Sequence, residues 1–229
     1  MDVLKTLLER GSIANIDLIE PLQEGIAEIL IADEDGVLIR VQDATYASVL
    51  FKASAAPRFA DVLCNCKDPI SVHEGVLVAA LKERGFSLDM ECYQAVYTSK
   101  EPLTRDPSIT IRPLQERDIP LVIHHYAHEE EAYIRQRYQA GVMIAAEIDG
   151  TLAGFMGRHT ECAMGLLVVL PQYRRLHVGE ALERAYIHKL LAQGTTPYCH
   201  VVVDNVASLS LQKKLGLKIS PERVYWMNL

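Results

Sequence analysis

The chain has 229 residues, 49% of them hydrophobic, and a formal net charge of −7. All of that charge lies in residues 1–105, which carry 10 Lys and Arg against 17 Asp and Glu, whereas residues 106–229 carry 13 of each. Neither part offers the basic face that nucleic-acid binding needs, and no apolar run approaches the roughly 20 residues that span a bilayer. Five cysteines, an odd number without framework spacing, favour a reducing compartment. We therefore expect a cytoplasmic protein that binds neither nucleic acid nor membrane.

Residues 1–104 are predicted to form an α+β domain. Residues 29–40 are typical of a hairpin whose turn is Asp35-Gly36. Residues 72–85 then indicate a helix that ends at a glycine, and residues 86–97 indicate a strand. This layout is similar to that of the second half. A degenerate copy of the second half and an unrelated α+β domain both account for it.

The segment 99–107 combines two prolines with charges and hydroxyls, which is the composition of a linker. We place the domain boundary there, so that the second domain runs over residues 105–229. Its first clear feature is a hairpin around Asp149-Gly150, a dipeptide that favours a type I′ turn. Alternating strands and helices follow, and residues 224–227 are predicted to be the strand that completes a mixed sheet with helices on its faces.

The most informative segment joins a strand to a helix through a basic turn. Residues 163–170 are apolar on both faces, as in a buried strand, and Pro171 ends that strand. From Val178 onward, apolar residues recur with helical spacing. The free N–H groups and positive dipole end of this helix, with Arg174 and Arg175 beside them, favour binding of a pyrophosphate.

Three segments in this half resemble the motifs of the GNAT acyltransferase superfamily. The loop from Arg174 to Gly179 is similar to the family's coenzyme A loop, except that His177 replaces the first glycine. Residues 204–217 resemble its Asn-containing helix motif, with Gln212 where a tyrosine is usual, and residues 109–118 resemble its opening strand. His177 implies either a right-handed helical backbone that needs no glycine or a looser grip on the pyrophosphate.

The resemblance implies an α+β fold with a mixed central sheet that splays apart and is flanked by helices. Within the superfamily, residues 170–174 and 197–201 most resemble the glycine N-acyltransferase-like branch, also called FR47-like. Proteins of that branch also carry an amino-terminal domain of comparable length.

The resemblance also implies acetyl-CoA, or free coenzyme A, as co-substrate, and no metal. The strand residues nearest the pantetheine arm would be Leu167, Val168 and Val169, with a strand N–H polarising the thioester carbonyl. The remaining residues expected to bind the cofactor lie in the basic loop, the start of the next helix and the Asn-containing motif: Arg174, Arg175, Leu176, His177, Val178, Gly179, Glu180, Asn205, Ser208 and Gln212.

An amine acceptor must lose a proton before it attacks, so a catalytic base is expected. Glu161 is the first candidate, because many relatives keep a carboxylate near the start of this strand. His159 is adjacent, and His200 lies on the splayed strand with an ordinary pKa suited to proton transfer near neutrality. Glu161 also has a plain structural interpretation as a hairpin-end charge, and His200 has one as a hydrogen-bonded core histidine. The usual acid, a tyrosine, is replaced by Gln212.

The leading hypothesis is an N-acyltransferase, most simply an N-acetyltransferase, that acts on a small-molecule amine or amino acid by direct attack in a ternary complex. A non-catalytic acyl-CoA-binding or regulatory module is the main alternative, and a protein N-terminal acetyltransferase is a third. A homodimer is one option for the assembly. His124 and His128 have the spacing of a helical metal site, but Glu does not follow the first histidine as zinc proteases require, and a solvated helix face is expected.

Overall fold

The computed structural model describes residues 1–42, 44–104, 107–126 and 130–229. Within those ranges the chain forms a mixed α+β fold, as predicted. The α-helices are α1 (Val3–Gly11), α2 (Ile16–Gln23), α3 (Ala56–Leu63), α4 (Gly75–Lys82), α5 (Ile119–His125), α6 (Glu131–Gln139), α7 (Val178–Ala192) and α8 (Val206–Lys214). The strands are β1 (Ala27–Asp33), β2 (Gly36–Val41), β3 (Thr45–Leu50), β4 (Ile70–Val72), β5 (Ser87–Val96), β6 (Thr110–Pro113), β7 (Ile144–Ile148), β8 (Thr151–Arg158), β9 (Met164–Val169), β10 (Tyr198–Val202) and β11 (Lys218–Asn228).

Both predicted hairpins are present, but their turns differ. Asp149 and Gly150 have φ angles of 51° and 73°, as a type I′ turn requires. In the first hairpin Asp33 pairs with Gly36, so the prediction of an Asp35-Gly36 turn is wrong. Gly36 serves packing instead, because a Cβ at that position would lie 2.4 Å from a backbone oxygen of β3.

A seven-stranded sheet contains strands from both halves of the chain, in the order β1-β2-β3-β4-β11-β5-β10. The prediction that the last strand completes the sheet of the second domain is therefore wrong. β11 lies between β4 and β5, and β5 also pairs with β10. The physical reason is that β5 and β11 are long and antiparallel, so they pair with each other from Ser87 opposite Asn228 to Val96 opposite Lys218. The predicted boundary falls at Arg105, outside the described residues, and remains a prediction.

The order of elements is the same in the two halves. In the first half β1, β2 and β3 are followed by α3, β4, α4 and β5, and in the second half β7, β8 and β9 are followed by α7, β10, α8 and β11. In both halves the first three strands form an antiparallel meander.

The four-stranded sheet, in the order β6-β7-β8-β9, ends at β9, and the seven-stranded sheet ends at β10. The two edges approach each other without pairing as one sheet, which is the splay that the family resemblance implies. Helix α7 packs beside this opening, with Leu182 and Ile187 fully buried. No helix in the described ranges has the length and apolar character needed to cross a bilayer.

Candidate active site

A cleft of about 400 Å³ opens at the end of β9, between the basic loop and the helices α7 and α8. It is lined by Val169, Arg174, Arg175, His177, Val178, Gly179, Glu180, Ala207, Leu211 and Lys214. The first seven are among the predicted cofactor-binding residues. The last three were missed, although their spacing of four and three residues places them on one face of a helix, a signal that the sequence contains.

The basic loop has an unusual backbone. Arg175 and His177 have φ angles of 64° and 59°, in the left-handed region, whereas Arg174 before them is extended. Of the two alternatives for His177, the right-handed backbone is therefore wrong: the histidine takes the left-handed conformation that a glycine adopts without strain. Successive backbone N–H groups in a turn can form a concave site for anions, and residues 174–177 are in a turn.

Electrostatics at the cleft are organised by Glu180. Its carboxylate accepts hydrogen bonds from Lys214 Nζ at 2.5 Å and Arg184 Nη2 at 2.8 Å, and contacts His177 Nδ1 at 3.3 Å. The hydrogen bond from Lys214, followed by that from Arg184, lowers the pKa of Glu180 to about 2. One carboxylate thus fixes two cations beside the cleft, and with the two loop arginines the local charge remains positive.

The remaining predicted cofactor-binding residues lie beside the cleft or behind it. Leu167 and Val168 are half-buried on β9, and Leu176 is 50% exposed in the loop. Asn205 caps α8, where its Oδ1 accepts the Ser208 N–H at 3.0 Å. These positions surround the lined cavity without contributing to its wall.

Gln212 is turned inward and does not contribute to the cleft lining. It is 1% exposed, and its Nε2 donates to Oε1 of Glu183 at 2.8 Å. Burial raises the pKa of Glu183 to about 7. Glu183 was missed by the sequence analysis, although a carboxylate one residue after the buried Leu182 of α7 is a visible departure from the helical pattern.

Strand β9 is interrupted beside the cleft. Gly165 pairs with Gly157 and Val168 pairs with Phe155, so two residues of β9 face one residue of β8. The first extra residue, Leu166, has a φ angle of 53°. This is a β-bulge, which breaks the hydrogen-bond ladder and reorients backbone groups, on the strand expected to offer an N–H to a thioester.

Two of the three catalytic candidates share a narrow, closed crevice at the other end of β9, which is too small to hold a water molecule. Glu161 and His200 both line it. Burial raises the pKa of Glu161 to about 7 and lowers the pKa of His200 to about 4, so the imidazole is neutral at physiological pH. The Tyr198 hydroxyl donates to the backbone oxygen of Glu161 at 2.5 Å and ties that turn to β10.

The third candidate, His159, lies over β9 just before the bulge. A Cβ on Gly165 would be 2.4 Å from His159 Nε2, so the ring sits directly on the glycine. His159 Nδ1 is hydrogen-bonded to the Tyr133 hydroxyl at 2.9 Å. The crevice also receives residues from the first half, namely Asp17, Val41, Thr45, Tyr46, Ala47 and Ser71, which the sequence analysis did not foresee.

No cluster of three or more metal-ligating side chains occurs among the residues that the structure describes. His124 lies at the end of α5, and its partner in the suggested helical metal site, His128, lies outside the described residues.

Known proteins resemble this chain in their family motifs and in their fold. The Acetyltransferase (GNAT) family model matches residues 109–217. A search of curated proteins gives no significant match. Similar solved structures include a Drosophila protein, at 13% identity over 100% of this chain and 95% of that chain with a TM-score of 0.71. They also include a protein described as a GNAT-family acetyltransferase from Novosphingobium aromaticivorans, at 18% identity over 95% and 97% with a TM-score of 0.60.

A GCN5-related N-acetyltransferase from Kribbella flavida is similar at 14% identity over 95% of both chains, with a TM-score of 0.60. At these identities the structural likeness concerns the fold. The family match is independent of it and covers the basic loop, the bulged strand and all of α8. Residues 109–217 are an acetyltransferase domain of the GNAT family.

Proposed function

We propose that this protein is an acetyl-CoA-dependent N-acetyltransferase whose acceptor is the amine of a small molecule. GNAT acetyltransferases generally use acetyl-CoA as co-substrate. The observation that carries the proposal is the pairing of two features on β9: a cationic cleft where the strand ends, and a buried carboxylate of raised pKa just before it begins.

The donor side fits a nucleotide diphosphate. Arg174, Arg175 and Lys214 supply cations, and the first turn of α7 presents backbone N–H groups with the positive end of the helix dipole. Acetyl-CoA would supply an activated thioester, and its diphosphate would be held by these residues. No residue of this set needs to move a proton.

The acceptor side needs a base. An ordinary amine is protonated at neutral pH, and freeing it costs about 4 kcal/mol, from a difference of about 3 pK units. Glu161, with a pKa of about 7, is better matched to this task than an ordinary carboxylate. His200 lines the same crevice, and burial lowers its pKa to about 4, so it is the weaker base of the two.

A non-catalytic acyl-CoA-binding module is the second candidate function, and one observation favours it. Gln212 stands where the family has its usual acid and is bonded to Glu183 inside the protein, so it offers the leaving thiolate no proton. A thiolate leaves readily without such help, and this loss therefore weakens the enzyme proposal without removing it.

Isothermal titration with acetyl-CoA, followed by thiol release with a panel of amines, tests the proposal. We expect saturable binding and amine-dependent release of free coenzyme A. Binding without release across the panel would favour the binding module. Absence of binding would contradict both candidates.

His177→Gly is expected to preserve or strengthen coenzyme A binding. Glycine relieves a left-handed backbone that costs a residue with a Cβ about 1 kcal/mol. The measurement is the dissociation constant of coenzyme A, with His177→Ala as the matched control, since it removes the same imidazole but keeps the strain. A large loss of affinity in both variants would mean that the imidazole itself binds the cofactor.

We also propose that the first half is a degenerate copy that binds no coenzyme. The repeated order of elements supports this. A second phosphate loop would lie at the start of α3. There Lys52, which precedes the helix, is bonded to Asp35 at 3.0 Å, and Arg58, in its first turn, is bonded to Asp35 at 3.1 Å and also to Asp33. The expected titration stoichiometry is therefore one coenzyme per chain. A value of two would refute the degenerate-copy proposal.

Three further proposals concern the acceptor, the location and the assembly of the protein. The glycine N-acyltransferase-like resemblance supports an amino acid as one type of acceptor. The five cysteines are all free thiols, which supports a cytoplasmic location. A homodimer stays a prediction.

A further inference from the structure

We infer that His159 donates a hydrogen bond from Nε2 to the thioester oxygen during acyl transfer, and that Tyr133 is the positioning residue that holds the imidazole in the required tautomer. This inference rests on the proposed acetyltransferase function, because it concerns the chemistry of that reaction. It makes His159 a neutral hydrogen-bond donor, whereas the sequence suggests a base.

The Tyr133 hydroxyl determines which imidazole nitrogen carries the hydrogen. Its oxygen lies 2.9 Å from His159 Nδ1 and accepts a hydrogen bond from the Thr160 backbone N–H at 3.3 Å. The buried Oγ1 of Thr160 makes no hydrogen bond, so His159 Nδ1 is the acceptor that remains for the Tyr133 hydrogen among the residues that the structure describes. A nitrogen that accepts this hydrogen bond is unprotonated, and the hydrogen of the neutral ring is therefore on Nε2.

The orientation of the two rings is fixed by their neighbours. The Tyr133 ring stacks on that of His159, with centroids 6.0 Å apart and an angle of 24° between the planes. The guanidinium of Arg137, which is 7% exposed, lies 5.7 Å from the centroid of the Tyr133 ring. The His159 backbone N–H donates to the oxygen of Ala163 at 2.8 Å, in the turn between β8 and β9. The imidazole is therefore oriented before any substrate binds, as an effective catalytic donor requires.

The edge of the imidazole that carries this hydrogen lies on β9. A Cβ on Gly165 would be 2.4 Å from Nε2 and 2.5 Å from Cδ2 of His159, so a glycine is needed to leave room for the ring. The bulge of β9 begins at the next residue, Leu166, and reorients backbone groups there. An imidazole N–H and a backbone N–H can thus serve the same short stretch of β9, and two such donors make an oxyanion hole.

The distance along β9 matches the reach of acetyl-CoA. Val169 lines the cationic cleft and lies four residues from Gly165, or about 13 Å at a rise of roughly 3.3 Å per residue. The arm of acetyl-CoA between the diphosphate and the sulfur is about as long as four residues of extended chain, roughly 13 to 14 Å. A diphosphate in the cleft therefore brings the acetyl group to Gly165 and the His159 ring above it.

The reaction needs a hydrogen-bond donor at this position and no acid. The amine nitrogen adds to the thioester carbon, the π electrons of the carbonyl move to the oxygen, and Nε2–H stabilises the resulting oxyanion while it keeps its proton. The carbonyl then forms again as the C–S bond breaks, and the electron pair leaves with the sulfur as a thiolate. Glu161 takes the amine proton under the proposal above, so the imidazole stays neutral throughout.

His159→Phe and His159→Gln separate the donor from the ring. We expect kcat to fall by about 10²- to 10³-fold in His159→Phe, the usual effect of one lost oxyanion donor, while the KM for acetyl-CoA is unchanged. The amide N–H of glutamine can take the place of Nε2–H, so His159→Gln should keep a clearly higher kcat. Equal losses in the two variants would contradict a donor role.

Tyr133→Phe removes the positioning hydroxyl and keeps the ring. We expect kcat to fall by about 3- to 10-fold, the effect of one hydrogen bond, with the KM for acetyl-CoA again unchanged. Tyr138→Phe is the matched control, because it makes the same chemical change on α6, five residues later and on a different face of the helix. If the two phenylalanine variants had the same kcat, Tyr133 would not be a positioning residue.

Nitrogen-15 NMR of the imidazole, assigned with His159→Gln, tests the tautomer without turnover. At pH 8 we expect an unprotonated Nδ1 and a protonated Nε2 in the wild type, and Tyr133→Phe should move the Nδ1 signal to that of a nitrogen without a hydrogen bond. Acetyl-CoA should move the Nε2–H signal much more than coenzyme A, which has no acetyl carbonyl. A hydrogen on Nδ1, or an Nε2–H signal that acetyl-CoA leaves in place, would overturn the inference. If no amine is acetylated, the proposed function fails, and this measurement still decides the inference.

Discussion

Replacing Glu161 with glutamine is expected to lower kcat by about 10²- to 10⁴-fold and to leave the affinity for acetyl-CoA unchanged. That range is the usual contribution of a positioned general base. Glutamine has nearly the shape of glutamate but cannot accept the amine proton. Glu161 lines the closed crevice and not the cationic cleft, so donor binding is spared. Steady-state kinetics together with acetyl-CoA titration measure the two effects separately.

The pH profile identifies the base. Because burial raises the pKa of Glu161 to about 7, the active carboxylate is the minor form below pH 7 and the major form above it. The wild-type rate should therefore rise with pH and level off above about 7, and Glu161→Gln should lose this dependence. His200, with a pKa of about 4, stays neutral over that range and predicts no such change. If His200→Gln, and not Glu161→Gln, removed the dependence, the roles would be reversed.

Loss of activity in Glu161→Gln should not reflect unfolding. A carboxyl group whose pKa is raised in the fold stabilises the protein only while it is protonated, and that contribution is lost as pH rises toward 7. At pH 8 the wild type bears the cost of the buried charge. The variant should then be at least as stable as the wild type, which thermal unfolding at pH 8 will check.

The second large effect is on stability, where Glu183→Gln is expected to raise the free energy of unfolding at pH 8 by about 2 to 3 kcal/mol. Glu183 is 4% exposed, and its pKa is raised from the ordinary 4.5 to about 7 by burial. At about 1.36 kcal/mol per pK unit, the ionised form costs roughly 3 kcal/mol. Its only hydrogen-bond partner among the described residues is the amide of Gln212, which a glutamine can also engage.

The increase in the free energy of unfolding that we expect for Glu183→Gln should depend on pH. Below 4.5 the wild-type carboxyl group is neutral in both the folded and unfolded states, and the penalty is absent; it develops as pH rises from 4.5 to about 7. Urea denaturation at pH 5 and pH 8 should show a much larger difference at pH 8. An equal difference at both pH values would contradict the assignment to ionisation.

Glu180→Gln, on the same helix, is the control with the opposite sign. Hydrogen bonds from Lys214 and Arg184 hold the pKa of Glu180 at about 2, so ionisation of this residue stabilises the fold. The contribution is present above pH 4.5 and is lost as pH falls toward 2. Glu180→Gln should therefore be less stable than the wild type at neutral pH.

Local sequence determined most of the donor side of the site. A basic turn after an apolar strand and before an amphipathic helix is specified by neighbouring residues, and seven of the ten residues that line the cleft follow from it. The type I′ turn at Asp149-Gly150 is equally local, because that dipeptide accommodates positive φ angles. The sequence spacing of Ala207, Leu211 and Lys214 likewise predicts that these residues share one face of a helix.

Only the tertiary structure decided the surroundings of the candidate bases. Glu161, His200 and Thr45 are brought together by pairing between strands that are distant in the sequence, and the placement of β11 between β4 and β5 has no local signature. The tertiary structure also decided which carboxyl groups are ionised. Burial, which no single segment specifies, raises the pKa values of Glu161 and Glu183, while Glu180 remains charged. The sequence alone determined where a phosphate is expected to bind, because backbone and charge act locally there, whereas long-range packing decided which groups are buried together.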